Sequence, residues 1–540
     1  MRRRDVPIAI LAAAVAPTVL SSCNGSADAE IATYPRTAQE IAGSVVPTDY
    51  TCRPGAWRRY GADPGGQADS TNAIAIACAV NGFAFDDVGG TYMVSGPIRV
   101  PSNCTISGKV NQTELVMLDP DTSLIVADET KGVTIEGIRF RVPAASAVAT
   151  GVVVFFKCVE CVCRNCDFSG FSWAGAWLYD ARNCTVTQCY FHDSQGSLVD
   201  SADICVYNNS SDNIITDNRC FGGNFHGVLI QNPYNDAFPS RNLVARNHIV
   251  NHQAYGVCLY VPDEGDTHNH ILDNRIEDIR GTFHRASGTG IYAAGGGAGG
   301  TVIDGNTLMR CCTETRFRIE APGAIGIHGM TAANSPIAIS NNVIDEMAHY
   351  DGILIVESAA QVIIIGNNVH LLSGNTEECP IRVELASQVT VKANILRRPP
   401  TDGRCILVYA SGGAVADVTV SSNTCCGGND SQIDFYSDEG GYFDQLLCFD
   451  NTCSGGGDAA SCISVAAVNG ATVSGNNCTS AKGVTFYIRD ARDLKVANNT
   501  FNSEGPVSVV ASGACTGSVY AASNSQNGAI LDSAVGLLVE

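Results

Sequence analysis

Along most of the chain, apolar and polar residues alternate in runs of four to six, the period of a strand with one buried face. The long amphipathic spacing of helices is scarce. The runs recur on a Val/Ile-x-x-Asn-x-apolar unit, whose Asn positions are Asn218, Asn247, Asn274, Asn306, Asn342, Asn368, Asn394, Asn423, Asn451, Asn476 and Asn499. Ile138, Cys166 and Cys189 fill the same place earlier. The mean spacing of about 28 residues is that of one coil of a solenoid. A short strand precedes each Asn, as at Ile215, Val244, Ile303, Ile339, Val391 and Val420, and a second strand opens each coil. The second strand reads GVLIQ (227–231), GVCLY (256–260), GILIV (352–356), PIRVE (380–384), CILVY (405–409) and QIDFY (432–436).

One such coil cannot bury its apolar face alone, so coils must stack and share a core. Asn suits the bend because it tolerates left-handed backbone and its amide can bond to the next coil. A leucine-rich repeat also carries an Asn ladder, but its framework positions are Leu, whereas Val and Ile dominate here. The pattern predicts an all-β, single-stranded parallel β-helix of about 14 coils. The expected division is a leader over 1–23, a linker over 24–55, a cap with the first coil over 56–110, and the β-helix over 111–540.

The cap reads as Tyr60-Gly61-Ala62-Asp63-Pro64, then Asp69-Ser70-Thr71 opening an N-capped helix over about 71–81, then Gly90-Thr91-Tyr92-Met93-Val94 and Ile98–Ile106 as the first coil. This order resembles the N-terminal segment of the pectate-lyase-like superfamily, shared by polygalacturonases, rhamnogalacturonase-type enzymes and phage tailspikes. The resemblance covers residues 56–110 and the generic coils after them, and it implies a right-handed helix. It marks fold far more than function. The polygalacturonase motifs are not reproduced: Asp86-Asp87 stands in the cap, Gly326-Ile327-His328-Gly329 is an imperfect echo, and Arg318-Ile319-Glu320 precedes that echo instead of following it.

The formal net charge is −21, and −23 without residues 1–22, which hold three Arg and one Asp. Such a surface repels nucleic acid and anionic lipid. An acidic polymer would need a cation or a local basic patch; a neutral glycan would not. Arg2, Arg3 and Arg4 followed by the apolar Ile8–Leu20 read as an export signal too short to span a membrane. Leu20-Ser21-Ser22-Cys23 resembles a lipobox, with Cys23 as the lipidated residue and the only membrane attachment; cleavage after Ala29 is the alternative. The expected location is the outer membrane, the periplasm or the exterior, as a monomer in preference to a trimer.

The 24 Cys of the chain suggest oxidation in an exported protein. Their repeat-equivalent spacing equally suits a stacked column of thiols. Cys158, Cys161, Cys163 and Cys166 have the spacing of a metal site, but strand alternation is expected to send them to different faces.

Alternation also turns one set of side chains outward from the opening strands: Trp177, Tyr179, Tyr207, Gln231, Tyr260, Tyr292, His328, Arg382, Glu384, Tyr409, Asp434, Tyr436 and Tyr487. Rings in file suit the flat faces of sugars, with acids and amides for their hydroxyls; ordinary strand propensity of Tyr is the plainer explanation. Glu384 and Asp434 stand two coils apart, near 10 Å, at the upper edge of the about 6.5–9.5 Å used by inverting glycosidases. Arg382 could depress a carboxylate pKa or neutralise a sugar acid, and His328 could move a proton. A second candidate is His226 beside the loops 232–241 and 262–270. The latter holds Asp263, Glu264, Asp266, His268 and His270, oxygen and imidazole groups that could take Ca²⁺; no other cofactor is expected. These features point to an exported polysaccharide-active enzyme, a hydrolase before a lyase. The alternatives are a non-catalytic surface glycan binder or adhesin, and a tailspike-like depolymerase.

Overall fold

The computed structural model describes residues 33–540 except 197–199, 224, 233–237, 262–266, 283–286, 297, 315–321, 330–334, 359–360, 373–377, 400–402, 429, 439, 456–460 and 481–482. The chain winds as a β-helix with three parallel sheets. Each coil contributes a front strand such as His226–Gln231, a side strand such as Leu243–Ala245, and a back strand such as His248–Val250. Each pairs in parallel with its counterpart one coil on. Among the described residues the front, side and back sheets hold 17, 19 and 18 strands. None of the described helices is long and apolar enough to cross a membrane.

The parallel register stacks like on like. In the front sheet Ile204, Val228, Val257, Ile291, Ile325, Ile353, Ile381, Ile406, Ile433 and Ile463 form one column inside the rod, all without exposure. Each burial contributes about 1.5–3 kcal/mol. The back column includes Phe140, Phe168 and Phe191, stacked at 4.9 and 4.6 Å, and further on Cys425, Cys453 and Cys478 on successive coils, followed by Phe501.

Asparagine closes the bend between side and back strands. The Asn247 Nδ2 donates to Ile215 O (2.9 Å) and to Asn274 Oδ1 (3.0 Å), and its main-chain N–H donates to the same Oδ1 (3.0 Å). The unit repeats from Asn218 to Asn499 and continues to Asn524. Two expectations are corrected. The rung between Asn342 and Asn394 is Asn367, not Asn368, because Gly366 takes the left-handed turn and Asn368 begins the back strand. More generally, the left-handed residue is the one before each Asn, as at Asp217, Arg246, Asp273 and Ala393. The asparagine holds that strained neighbour in place by its side-chain bonds.

The cap helix spans Thr71–Asn81, over the residues expected. Its Ser70 does not cap it; Asp69 Oδ1 accepts the Thr71 N–H instead (2.9 Å). Residues 33–55, expected as a linker, form part of the cap. Glu40 is wholly buried there and accepts Arg59 Nε (2.6 Å) and Nη2 (2.9 Å), and Tyr60 Oη (2.6 Å). The Arg59 guanidinium holds the Glu40 carboxyl down at about 2. Asp86 and Asp87 are structural: Asp86 accepts Tyr92 Oη (2.7 Å) and Thr113 Oγ1 (2.5 Å), and Asp87 pairs with Arg58.

Every described cysteine is a free thiol, and all but Cys426 are buried. Cys158, Cys161, Cys163 and Cys166 all point into the core. They do so because three of them, Cys158, Cys161 and Cys166, stand between strands, where the two-residue alternation is broken. The Sγ atoms of Cys163, Cys166 and Cys189 lie within 4.8 Å of one another.

Candidate functional site

The outer face of the front sheet carries two rows of side chains set by register. One runs Trp177, Cys205, Leu229, Cys258, Tyr292, Gly326, Leu354, Arg382, Leu407, Asp434, Ser464. The other runs Tyr179, Tyr207, Gln231, Tyr260, Ala294, His328, Val356, Glu384, Tyr409, Tyr436. The residues singled out from sequence therefore do share one face.

The N-terminal half of that face is not an open sugar platform. Tyr207, Gln231 and Tyr292 are buried, and Trp177 and Tyr179 are half-buried. The four aromatic residues belong to a second apolar cluster, built with Trp173, Phe225, Tyr255 and Leu354. Trp173 packs edge-on to Trp177 (4.6 Å between ring centres) and Tyr255 stacks on Tyr292 (4.8 Å). Trp173, just before its front strand, packs on Trp177 and Tyr207, a contact that strand alternation alone does not reveal. Tyr260 remains exposed. His226 is buried against Tyr255 and Phe225, and this burial holds its pKa well below the usual histidine value. It is a neutral, packed ring. Asp263, Glu264 and Asp266, like Cys23, Arg318, Ile319 and Glu320, lie outside the described residues.

The open chemistry is further along. Pro322, Tyr350, Asp351, Leu354, Glu378, Arg382 and Glu384 line a cavity of about 140 Å³. Ile381 and Val383 anchor in the core, so alternation lifts Arg382 and Glu384 outward on the same strand, where they form an ion pair. Asp351 opens the preceding front strand, Asp351–Val356. Its Oδ1 accepts the Cys379 N–H (2.6 Å), and burial lifts its pKa to about 7 against the pull of Arg382. A carboxyl that keeps its proton near neutrality thus shares a cavity with a carboxylate held by a guanidinium.

Glu384 and Asp434 do not form the expected pair. Glu384 aligns with Tyr409 and Tyr436, so Asp434 lies two coils on and two residues back. That offset separates the two strand positions by about 12 Å. Asp434 is moreover buried and accepts Arg404 Nε (2.6 Å), while Arg404 also meets Asp430 (3.3 Å). Burial raises the Asp434 pKa, and Arg404 opposes the rise. His328 sits two coils from Glu384 with Val356 between, and it does not line the cavity. Tyr409 and Tyr436 stack at 5.9 Å, with Tyr436 exposed and Tyr409 Oη donating to Asp438 Oδ2 (2.6 Å).

Asp351, Glu378 and Arg404 escaped the reading of the sequence because they precede the alternating runs. A signal existed: Asp351-Gly352 occupies the slot of His226-Gly227 and Tyr255-Gly256, a side chain placed just before the small residue that enters the strand. At Gly352 a Cβ would lie 2.4 Å from Val369 Cγ1, so this position is fixed by the core.

The family described as the right handed beta helix region matches residues 123–308. No curated protein matches the chain in sequence. Among solved structures, the catalytic unit of a thermostable GH87 α-1,3-glucanase from Streptomyces thermodiastaticus is 17% identical, with 76% of this chain and 68% of that one covered at a TM-score of 0.50. An exopolygalacturonase from Thermotoga maritima is 12% identical over 69% of this chain and 91% of that one (TM-score 0.42). A double mutant of the tailspike protein of E. coli bacteriophage HK620, in complex with a pentasaccharide, is 13% identical over 80% and 78% (TM-score 0.43). At these identities the likeness is one of fold. The chain is a right-handed parallel β-helix.

Proposed function

We propose that this protein hydrolyses a polysaccharide at the cavity between Asp351 and Glu384. The reading is carried by one observation: a buried carboxyl with its pKa at about 7 shares a small cavity with an Arg-held carboxylate on the next front strand. Asp351 gives its proton to the glycosidic oxygen as the C–O bond breaks. Glu384 takes a proton from water as the water oxygen joins the anomeric carbon. Arg382 pairs with Glu384 and aims it. Tyr436, exposed and stacked on Tyr409, offers a ring face to a neighbouring sugar. The fold is also that of an α-1,3-glucanase. A lyase fits less well, since Arg382 and Arg404 are both engaged by carboxylates of the protein.

We take residues 1–23 as an export leader with Cys23 as lipid acceptor, consistent with a glycan substrate outside the cytoplasm.

The test is incubation with α-1,3-glucan, polygalacturonate and bacterial O-polysaccharides, reading new reducing ends and the ultraviolet absorbance of new double bonds. Reducing ends without double bonds are expected, falling about 10²-fold or more in Asp351→Asn and Glu384→Gln, with binding kept. Binding with no turnover by the unaltered protein would make it an adhesin-type binder instead.

A further inference from the structure

A second concave site lies around the corner from that cavity, where front strands pass into side strands near the C-terminal end. A groove of about 440 Å³ crosses consecutive coils. Small residues, Ala467 and Ala514, and longer ones, Tyr442 and Arg492, line it together. Tyr442 is 43% exposed. Asn469 and Arg492 are directly paired across neighbouring side strands, and Asp490 stands at the corner beside them.

The corner fixes the Asp490 carboxylate. Its Oδ1 accepts the Ala514 N–H of the next coil (3.0 Å), and a Cβ on Gly513 would come within 2.1 Å of the same oxygen. Asp490 Oδ2 is left with Arg489 at a loose 3.9 Å. Arg492 has no carboxylate partner among the described residues. An exposed ring face, a carboxylate, an amide and an unengaged guanidinium thus converge on one groove of ligand size. That set recognises a sugar: the ring stacks on its C–H face, and the planar polar groups accept and donate to adjacent hydroxyls. The groove runs along the rod, across coils about 4.8 Å apart, so it receives consecutive units of a chain.

We infer that this groove is an accessory glycan-binding site that holds a distal stretch of the polymer. Tyr442 follows Tyr436 by one corner of the same coil, which places the groove beside the end of the stacked Tyr409–Tyr436 pair. The inference rests on the proposed function for the identity of its ligand class, and its consequence is chain-length preference. Long substrates engage both places; short ones reach only the cavity.

The experiment compares the unaltered protein with Tyr442→Ala and Arg492→Ala. It uses the polysaccharide of the panel above that binds or is cleaved best, and a trisaccharide cut from it. Expected is about a fivefold or greater loss of affinity and of kcat/KM for the polymer, with trisaccharide kinetics unchanged. Equal behaviour of variant and parent on the polymer, with cleavage intact, overturns the accessory site and leaves the catalytic reading standing. Polymer binding that depends on Tyr442 without any cleavage does the reverse. Failure to bind any glycan of the panel overturns both.

Discussion

At the scale of single residues, environment separates carboxyl groups that look alike in sequence. Asp351 is buried and protonated near neutrality, Glu384 is held by Arg382, and Asp434 is neutralised by Arg404. The raised Asp351 pKa has a consequence for stability. Between its ordinary value near 3.8 and about 7 the folded state binds the proton that the unfolded state has released, so stability falls as pH rises through that window. Asp351→Asn removes the ionisable group and should flatten the dependence. Urea unfolding at about pH 5 and pH 8 measures it: the stability difference should shrink in the variant by a few kcal/mol. An unchanged difference would mean that Asp351 ionises normally.

At the scale of the coil, the Asn ladder and the Val/Ile columns were legible because both repeat, and repetition survives one misplaced member such as Asn368. What could not be read was cover. Tyr207 and Tyr292 have the same alternation as Tyr260 and Tyr436, yet non-repeating segments bury the first two and leave the others open. The Cys158–Cys166 segment failed for a related reason, since corners interrupt the period of two. The ladder itself carries a quantitative expectation. Replacing Asn342 by Ala removes the acceptor for the Asn306 N–H and Nδ2 and the donor to Ile303 O, all buried. Each orphaned group costs about 1–3 kcal/mol, so Asn342→Ala should lower the thermal midpoint by several degrees, as read by circular dichroism. The exposed neighbour Asn341, whose amide donates to Asp304 Oδ1, should cost less when replaced by Ala.

At the scale of the whole molecule, the rod keeps its cysteines as interior filling. Among the described cysteines, a thiol reagent such as Ellman's should label Cys426 in the native state, while denaturation exposes the remainder. Rapid labelling of many thiols without denaturant would contradict the buried columns. The same stacking makes the rod rigid along its length, so the cavity and the corner groove stay at fixed spacing, as binding of one long chain at both places requires.

The most direct test of the catalytic reading is the pH profile of glycan cleavage, followed as reducing ends from about pH 4 to pH 9. Because the proton on Asp351 is the one given to the leaving oxygen, the rate should fall as pH passes about 7, and Asp351→Asn should abolish it. A rate that holds steady through pH 9, or an Asp351→Asn variant with full activity, would show that the chemistry lies elsewhere.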